Sequence, residues 1–377
     1  MKITIISTAY PLRGGIAQYT AILYHKLKQK NHTVNVLTFK RQYPKIFFPG
    51  RTQLDKGSDE SVKIETEPIL DSIGPLSWLI TYKKIKTTKP DLLIFKFWMP
   101  FFAPCFGTIC WLTKKFTDTK ILYLCDNIIP HERRFGDVAL TKFALKKADY
   151  FIIQSEVVKN DLLALFPQAQ NKVVPHPVYE IFGEVMDKHV AKKEIGLHDE
   201  RVILFFGYIR AYKGLDLILL ALPEILKKIN VRLLVVGEFY DSEEKYKNII
   251  ETLGIEKSVL IHADFVVNEK VSLYFSAADV VVLPYKSATQ SGIVQIAYQL
   301  NRPCIVTNVG GLAEVVIHNK TGYVVEPESP VALAHAVEKF YAEDKEREFV
   351  ENVKVEKKKY SWDTMVKAIE DFVCEVN

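Results

Sequence analysis

Four loops in this 377-residue chain place glycine beside cations or hydroxyls at the end of an apolar, strand-like run. The richest is Gly207-Tyr208-Ile209-Arg210-Ala211-Tyr212-Lys213-Gly214, directly after residues 202–206. Arg and Lys three apart, with glycine before helix-like sequence, would converge two cations and a helix N-terminus on one spot. Such a spot suits a diphosphate, whose charge must be neutralised as it departs. The plainer alternative is a structural loop with solvated cations.

A second loop, Ser287-Ala288-Thr289-Gln290-Ser291-Gly292, again opens a helix. Thr289, Gln290 and Ser291 offer hydrogen bonds to sugar hydroxyls or phosphate, or one of them simply caps the helix. Near the start, Arg13-Gly14-Gly15-Ile16 leads into a helix, where paired glycines let backbone N–H groups approach an anion or merely make a tight turn. Gly310-Gly311-Leu312, followed by Glu314, repeats the pattern late in the chain. None of these is GxGxxG, and no acid stands where it would hold a ribose, so a nicotinamide site is disfavoured.

The elements that must position these loops alternate. Strand-like runs at 2–7, 33–38, 92–97, 120–124 and 150–154 are separated by helix-like periods such as 16–29. After Pro175 and Pro177 the pattern restarts, with strands at 202–206, 231–237, 259–262, 280–284 and 304–307. This βαβ order predicts two Rossmann-like, doubly wound parallel-sheet domains joined near residues 175–195. Ligands of such sheets bind at the carboxyl ends of strands, and two facing domains put the expected site in an interdomain cleft.

Composition narrows the class. With 48% hydrophobic and 25% charged residues, the chain is ordinary and globular. Five cysteines without CxxC pairing argue against a disulfide framework or zinc site, and the absence of a signal-peptide layout predicts a cytoplasmic protein. Residues 92–112 are apolar apart from Lys96, but Pro100 and Pro104 interrupt them, so no membrane span is expected. Residues 1–180 hold 26 Lys and Arg against 15 Asp and Glu, a net of +11, whereas the remainder carries −6. No nucleic-acid motif accompanies the basic residues. The asymmetry is read either as solvated helix faces or as attraction to an anionic membrane at its inner face, with the aromatic stretch 95–106 approaching the leaflet.

The glycine loops, in this order and spacing, together with Tyr360-Ser361-Trp362 before a last helix, resemble family-4 retaining glycosyltransferases of the GT-B fold over essentially the whole chain. The resemblance implies an acceptor-binding domain at 1–180, a nucleotide-sugar-binding domain at 181–360, and a helix at 361–377 crossing back to the first. It implies metal-independent transfer of a sugar, with retention, from a nucleotide-sugar to a glycan or lipid-linked acceptor, without a cofactor.

Arg210 and Lys213 inherit the grip on the donor diphosphate. Gly14, Gly15, Gly207, Glu238, Phe265, Val266, Thr289, Gln290, Ser291 and Gly292 are the other expected donor contacts. The slot of the family's histidine falls at Asp126, with His131 and Glu132 close behind. Asp126 or Glu132 can accept a proton or orient the acceptor hydroxyl, or cap a loop. One departure stands out. The family's pair of glutamates would fall at Ala288 or Thr289 and at Ile296 or Ala297, none acidic. That favours, as alternative, a catalytically silent nucleotide-sugar-binding subunit; an epimerase of the same fold is a third reading, and a phosphorylase would need a pyridoxal lysine that cannot be placed.

Overall fold

The computed structural model describes residues 1–44, 52–55, 57, 59–130 and 134–374; His131 and Glu132 lie outside the described residues. The chain divides into two compact units, Met1–Pro177 with Ser361–Asn377, and Val178–Tyr360. The first begins with β1 (Lys2–Ile6), α1 (Gly15–Gln29), β2 (Thr33–Arg41), β3 (Glu67–Asp71), α2 (Pro75–Thr88) and β4 (Leu92–Phe97). It continues through α3 (Ala103–Phe116), β5 (Lys120–Cys125), α4 (Asp137–Leu145), β6 (Tyr150–Ile153), α5 (Glu156–Leu165) and β7 (Asn171–Val173).

These strands form one parallel sheet in the order β3-β2-β1-β4-β5-β6-β7. An interior parallel strand is covered on both faces and reads as a continuous apolar run. In β4 every residue of Leu-Leu-Ile-Phe-Lys-Phe is buried, Lys96 included.

The second unit comprises α6 (Lys188–Glu194), β8 (Arg201–Phe206), α7 (Leu215–Leu226), β9 (Val231–Val236), α8 (Glu243–Leu253), β10 (Val259–His262) and α9 (Asn268–Ala277). After these come β11 (Val280–Leu283), α10 (Gly292–Gln299), β12 (Cys304–Thr307), α11 (Leu312–Val315), β13 (Gly322–Val325), α12 (Pro330–Ala342) and α13 (Glu346–Glu356). Its sheet order is β10-β9-β8-β11-β12-β13, again parallel. In both sheets the winding direction reverses once, between β1 and β4 and between β8 and β11. The core of the second unit packs Phe205, Ile218, Leu222, Leu233 and Val282 between sheet and helices.

The last helix, α14 (Trp362–Cys374), belongs to the first unit. Its buried residues are Trp362, Met365, Val366, Ala368, Ile369 and Phe372, of which Trp362, Met365, Val366 and Ile369 form an i, i+3, i+4, i+7 stripe. Trp362 lies 4.8 Å from Tyr19 of α1, and Phe372 stacks on Tyr150 of β6 at 4.8 Å. His32 is 2.8 Å from Glu370.

Two sequence expectations change. Strands β3, β7 and β13 were not expected from the sequence: β3 has only an Ile-Leu pair between Pro68 and Asp71, β7 is three residues long, and β13 opens on Gly322 with its last two residues half-buried. The aromatic stretch 95–106 does not face outward. Phe95, Phe97, Phe102 and Phe106 are wholly buried, and Phe95 stacks on Tyr123 at 4.8 Å. They are the inner face of α3 and the middle of the sheet. Among the described residues no helix is long and apolar enough to cross a membrane.

Candidate active site

Parallel strands deliver their loops to one edge, and at the carboxyl edge of the second sheet these loops are tied together by backbone contacts. Lys286 N–H, after β11, donates to the Tyr212 carbonyl at 2.7 Å, and Gly311 N–H, after β12, donates to that of Thr289 at 2.9 Å. Ile209 N–H donates to the Glu238 carbonyl at 2.9 Å, joining the loops after β8 and β9.

Two glycines permit this closeness. Gly214 (φ 70°) and Gly310 (φ 50°) hold left-handed backbone conformations. A Cβ on them would stand 2.0 Å from the Pro284 carbonyl and 1.6 Å from the Ala288 carbonyl. Gly310→Ala is therefore expected to cost at least about 1–3 kcal/mol from the backbone conformation alone. It should also displace the 287–292 loop, so a melting curve shifted downward with weakened nucleotide binding is the expected result. An unchanged melting temperature would contradict this account.

The turn Ala211–Lys213 bends the Lys213 side chain back under the loop. Its Nζ and the Ile293 side chain, at the start of α10, both border Gly207: they lie 3.0 and 3.3 Å from where a Cβ would project. Lys213 is buried, over the ring of Tyr285 at 5.5 Å. Burial, and after it the charge of Arg210, pushes its pKa down to about 8. The Arg210 guanidinium lies 5.0 Å from the Tyr240 ring centre. Among the described residues no carboxylate pairs with either cation, whereas nearby Lys286 is neutralised by Asp216 at 2.6 Å. Two neighbouring cations without a counter-charge can neutralise an anion there.

The other predicted donor contacts of the second unit line the same edge. Tyr208 stacks with Phe265 at 6.3 Å and lies 4.6 Å from Tyr240, giving flat surfaces beside Arg210. Val266 is half-buried next to Phe265, and Glu238 and Thr289 are buried. Ser291 caps α10, its Oγ accepting the Ile293 N–H at 3.2 Å, so the plain capping reading holds for that hydroxyl. Gly292 is the first residue of α10. The Oε1 atoms of Gln290 and Gln295 are buried and accept no hydrogen bond among the described residues. Gln295 was not picked out from sequence; an amide on an otherwise apolar helix face was its only signal.

The carboxyl edge of the first sheet gathers a different group. Gly14 (φ 108°) precedes α1 and Gly15 begins it, which sets Tyr19 at the end of the first turn. The Lys96 ammonium, on β4, lies 3.8 Å from the centre of the Tyr19 ring and donates to Asp126 Oδ1 at 2.5 Å. Asp126 follows β5 and its N–H donates to the Phe97 carbonyl. Both members of this pair are buried, Lys96 at 2% and Asp126 at 7% exposure. Burial raises the Asp126 pKa and the ammonium of Lys96 opposes that shift.

His176 stands edge-on to Tyr19 at 5.2 Å. Burial and the Lys96 charge push its pKa down to about 3, so its imidazole is neutral. The structure thus joins Gly14, Gly15 and Asp126, and adds Lys96, Tyr19 and His176. The lone lysine inside an apolar strand was the signal for this cluster.

A model of the group 1 glycosyl transferases matches residues 187–356. An uncharacterized glycosyltransferase of Methanocaldococcus jannaschii is 25% identical, over 97% of this chain and 96% of its own length. Among solved structures, Anabaena HepE in complex with UDP and glucose matches with a TM-score of 0.78 at 16% identity, covering all of both chains. The sucrose-phosphate synthase of Thermosynechococcus elongatus matches at 0.77 and 18% identity, covering 100% of this chain and 99% of its own. At such identities the likeness is one of fold. The second unit thus matches the group 1 glycosyl transferases, and the two parallel-sheet units give the chain the GT-B fold of such enzymes.

Proposed function

We propose that the chain transfers a sugar, with retained configuration and without a metal, from a nucleotide-sugar to a glycan or lipid-linked acceptor in the cytoplasm. The observation that carries this reading is the pair Arg210 and Lys213, which lack a described carboxylate partner at the carboxyl edge of the second sheet. These cations take the role that a divalent metal plays elsewhere, stabilising the diphosphate as it leaves. HepE has UDP and glucose bound on this fold, which supports a uridine-type donor as the first to test. With no nucleophile assigned, the departing phosphate itself takes the proton of the acceptor hydroxyl. Asp126, held by Lys96, orients that hydroxyl.

A silent binding subunit is the second reading, favoured by α10 lacking any acidic residue. Incubating the purified protein with a panel of nucleotide-sugars, with and without chelator, separates the two. The proposal expects thermal stabilisation by one donor and chelator-resistant release of its nucleoside diphosphate. Stabilisation without release over long incubation would favour the silent subunit, and a chelator-sensitive reaction would overturn metal independence.

A further inference from the structure

Helices α2, α3 and α4 connect successive strands of the first sheet and pack side by side. Their outward surface is unusual in being apolar and basic at once. Leu76 and Ile80 on α2 are 76% and 56% exposed, Trp111 and Phe116 on α3 are 44% and 51%, and Phe143 on α4 is 49%. On α2 the outward stripe runs Leu76, Leu79, Ile80, Lys83, while Thr81 and Ile85 are buried. The patch is continuous across helices. Tyr82 lies 6.1 Å from Phe116, and the Phe143 ring rests against Gly107 of α3, 2.5 Å from where a Cβ would be.

Exposed lysines edge the same surface: Lys83, Lys86, Lys115, Lys142, Lys146 and Lys147. Two others, Lys84 and Lys114, are paired with Glu67 and Asp149 and are not counted. Within the three helices the single acid is Asp137, which accepts the Arg134 N–H. Lys115 lies 5.0 Å over Trp111 and 5.2 Å over Phe116, and Lys86 6.0 Å over Phe116. Ammonium groups held over exposed aromatic rings match the headgroup level of a bilayer, where an apolar body meets a charged surface.

We propose that this α2–α3–α4 face docks the first unit on an anionic lipid leaflet. Charge decides between occupants. A second copy seated on the same face would oppose lysines to lysines across a two-fold axis, which is repulsive, whereas anionic headgroups complement them. The surface is distinct from the buried 95–106 stretch, and it depends on exposed side chains only. The proposal rests on the lipid-linked branch of the acceptor reading, and vesicles without donor or acceptor test it separately from transfer.

The experiment is co-sedimentation of the full chain with phosphatidylglycerol–phosphatidylcholine vesicles and with phosphatidylcholine alone, over a salt series. Binding to the anionic vesicles that is released as salt rises is expected, since attraction to headgroups fades within a Debye length. Lys83→Glu/Lys115→Glu/Lys146→Glu should weaken it at least about tenfold, and Trp111→Ser/Phe116→Ser should also reduce it. Lys28→Glu/Lys40→Glu, away from this face, should leave most of it. Three results would overturn the proposal: no pelleting with either vesicle, equal loss from the distant lysines, or a dimer in solution that Trp111→Ser/Phe116→Ser converts to monomer.

Discussion

Asp126→Ala is expected to destabilise the protein by about 3–5 kcal/mol, because it leaves the Lys96 ammonium buried without its counter-charge. Against a total stability of roughly 5–15 kcal/mol, that is enough to lower the melting temperature by many degrees. Lys96→Met should cost a similar amount by stranding the carboxylate. The double replacement Lys96→Met/Asp126→Leu removes both desolvation penalties and should recover much of the loss. Denaturant unfolding of the four proteins measures the coupling. If the single losses simply add in the double variant, the pair is not a unit and the geometry has been misread. The double variant also separates roles: restored stability with activity still absent would place Asp126 in positioning the acceptor.

Lys213 should behave in the opposite way, trading stability for function. Its ammonium is buried beside another cation, and its pKa falls from 10.5 to about 8. Between these values the unfolded chain binds more protons than the folded one, so the unliganded protein gains stability as pH rises from about 8 to 10.5. Lys213→Met should therefore keep or raise the melting temperature of the free protein at neutral pH and abolish this rise.

Donor binding should suffer. Loss of a charge-assisted hydrogen bond costs roughly 1.5–3 kcal/mol, hence at least about a tenfold weaker donor Kd. In the native protein a bound diphosphate favours the charged lysine, so affinity should fall as pH climbs through about 8, with a proton taken up on binding. Calorimetry in buffers of different ionisation enthalpy reads that proton. Unaltered donor affinity in both Lys213→Met and Arg210→Ala would remove the diphosphate site from this edge.

The loops were legible because their signals are local. Gly207, Arg210, Lys213 and Gly214 lie within eight residues, after an apolar run and before a helix. Strand alternation and the restart after Pro177 follow equally from short-range periodicity, which placed two parallel sheets but overlooked β3, β7 and β13, which carry only brief apolar runs. The surface role assigned to residues 95–106 failed because an apolar run reads alike in a core and on a bilayer; only their packing under α3 and against Tyr123 separates the two.

Chain position alone cannot bring Tyr19, Lys96, Asp126 and His176 to one edge. They meet because the sheet reverses direction between β1 and β4, which lays β1, β4 and β5 side by side although residues 7–91 intervene between the first two. Composition and spacing determined the alternating plan, the interior strands and the cation loop, since each depends on neighbours in sequence. The buried ion pair, the neutral histidine and the outward basic–aromatic face were decided by tertiary structure, because burial and charge pairing belong to neighbours in space.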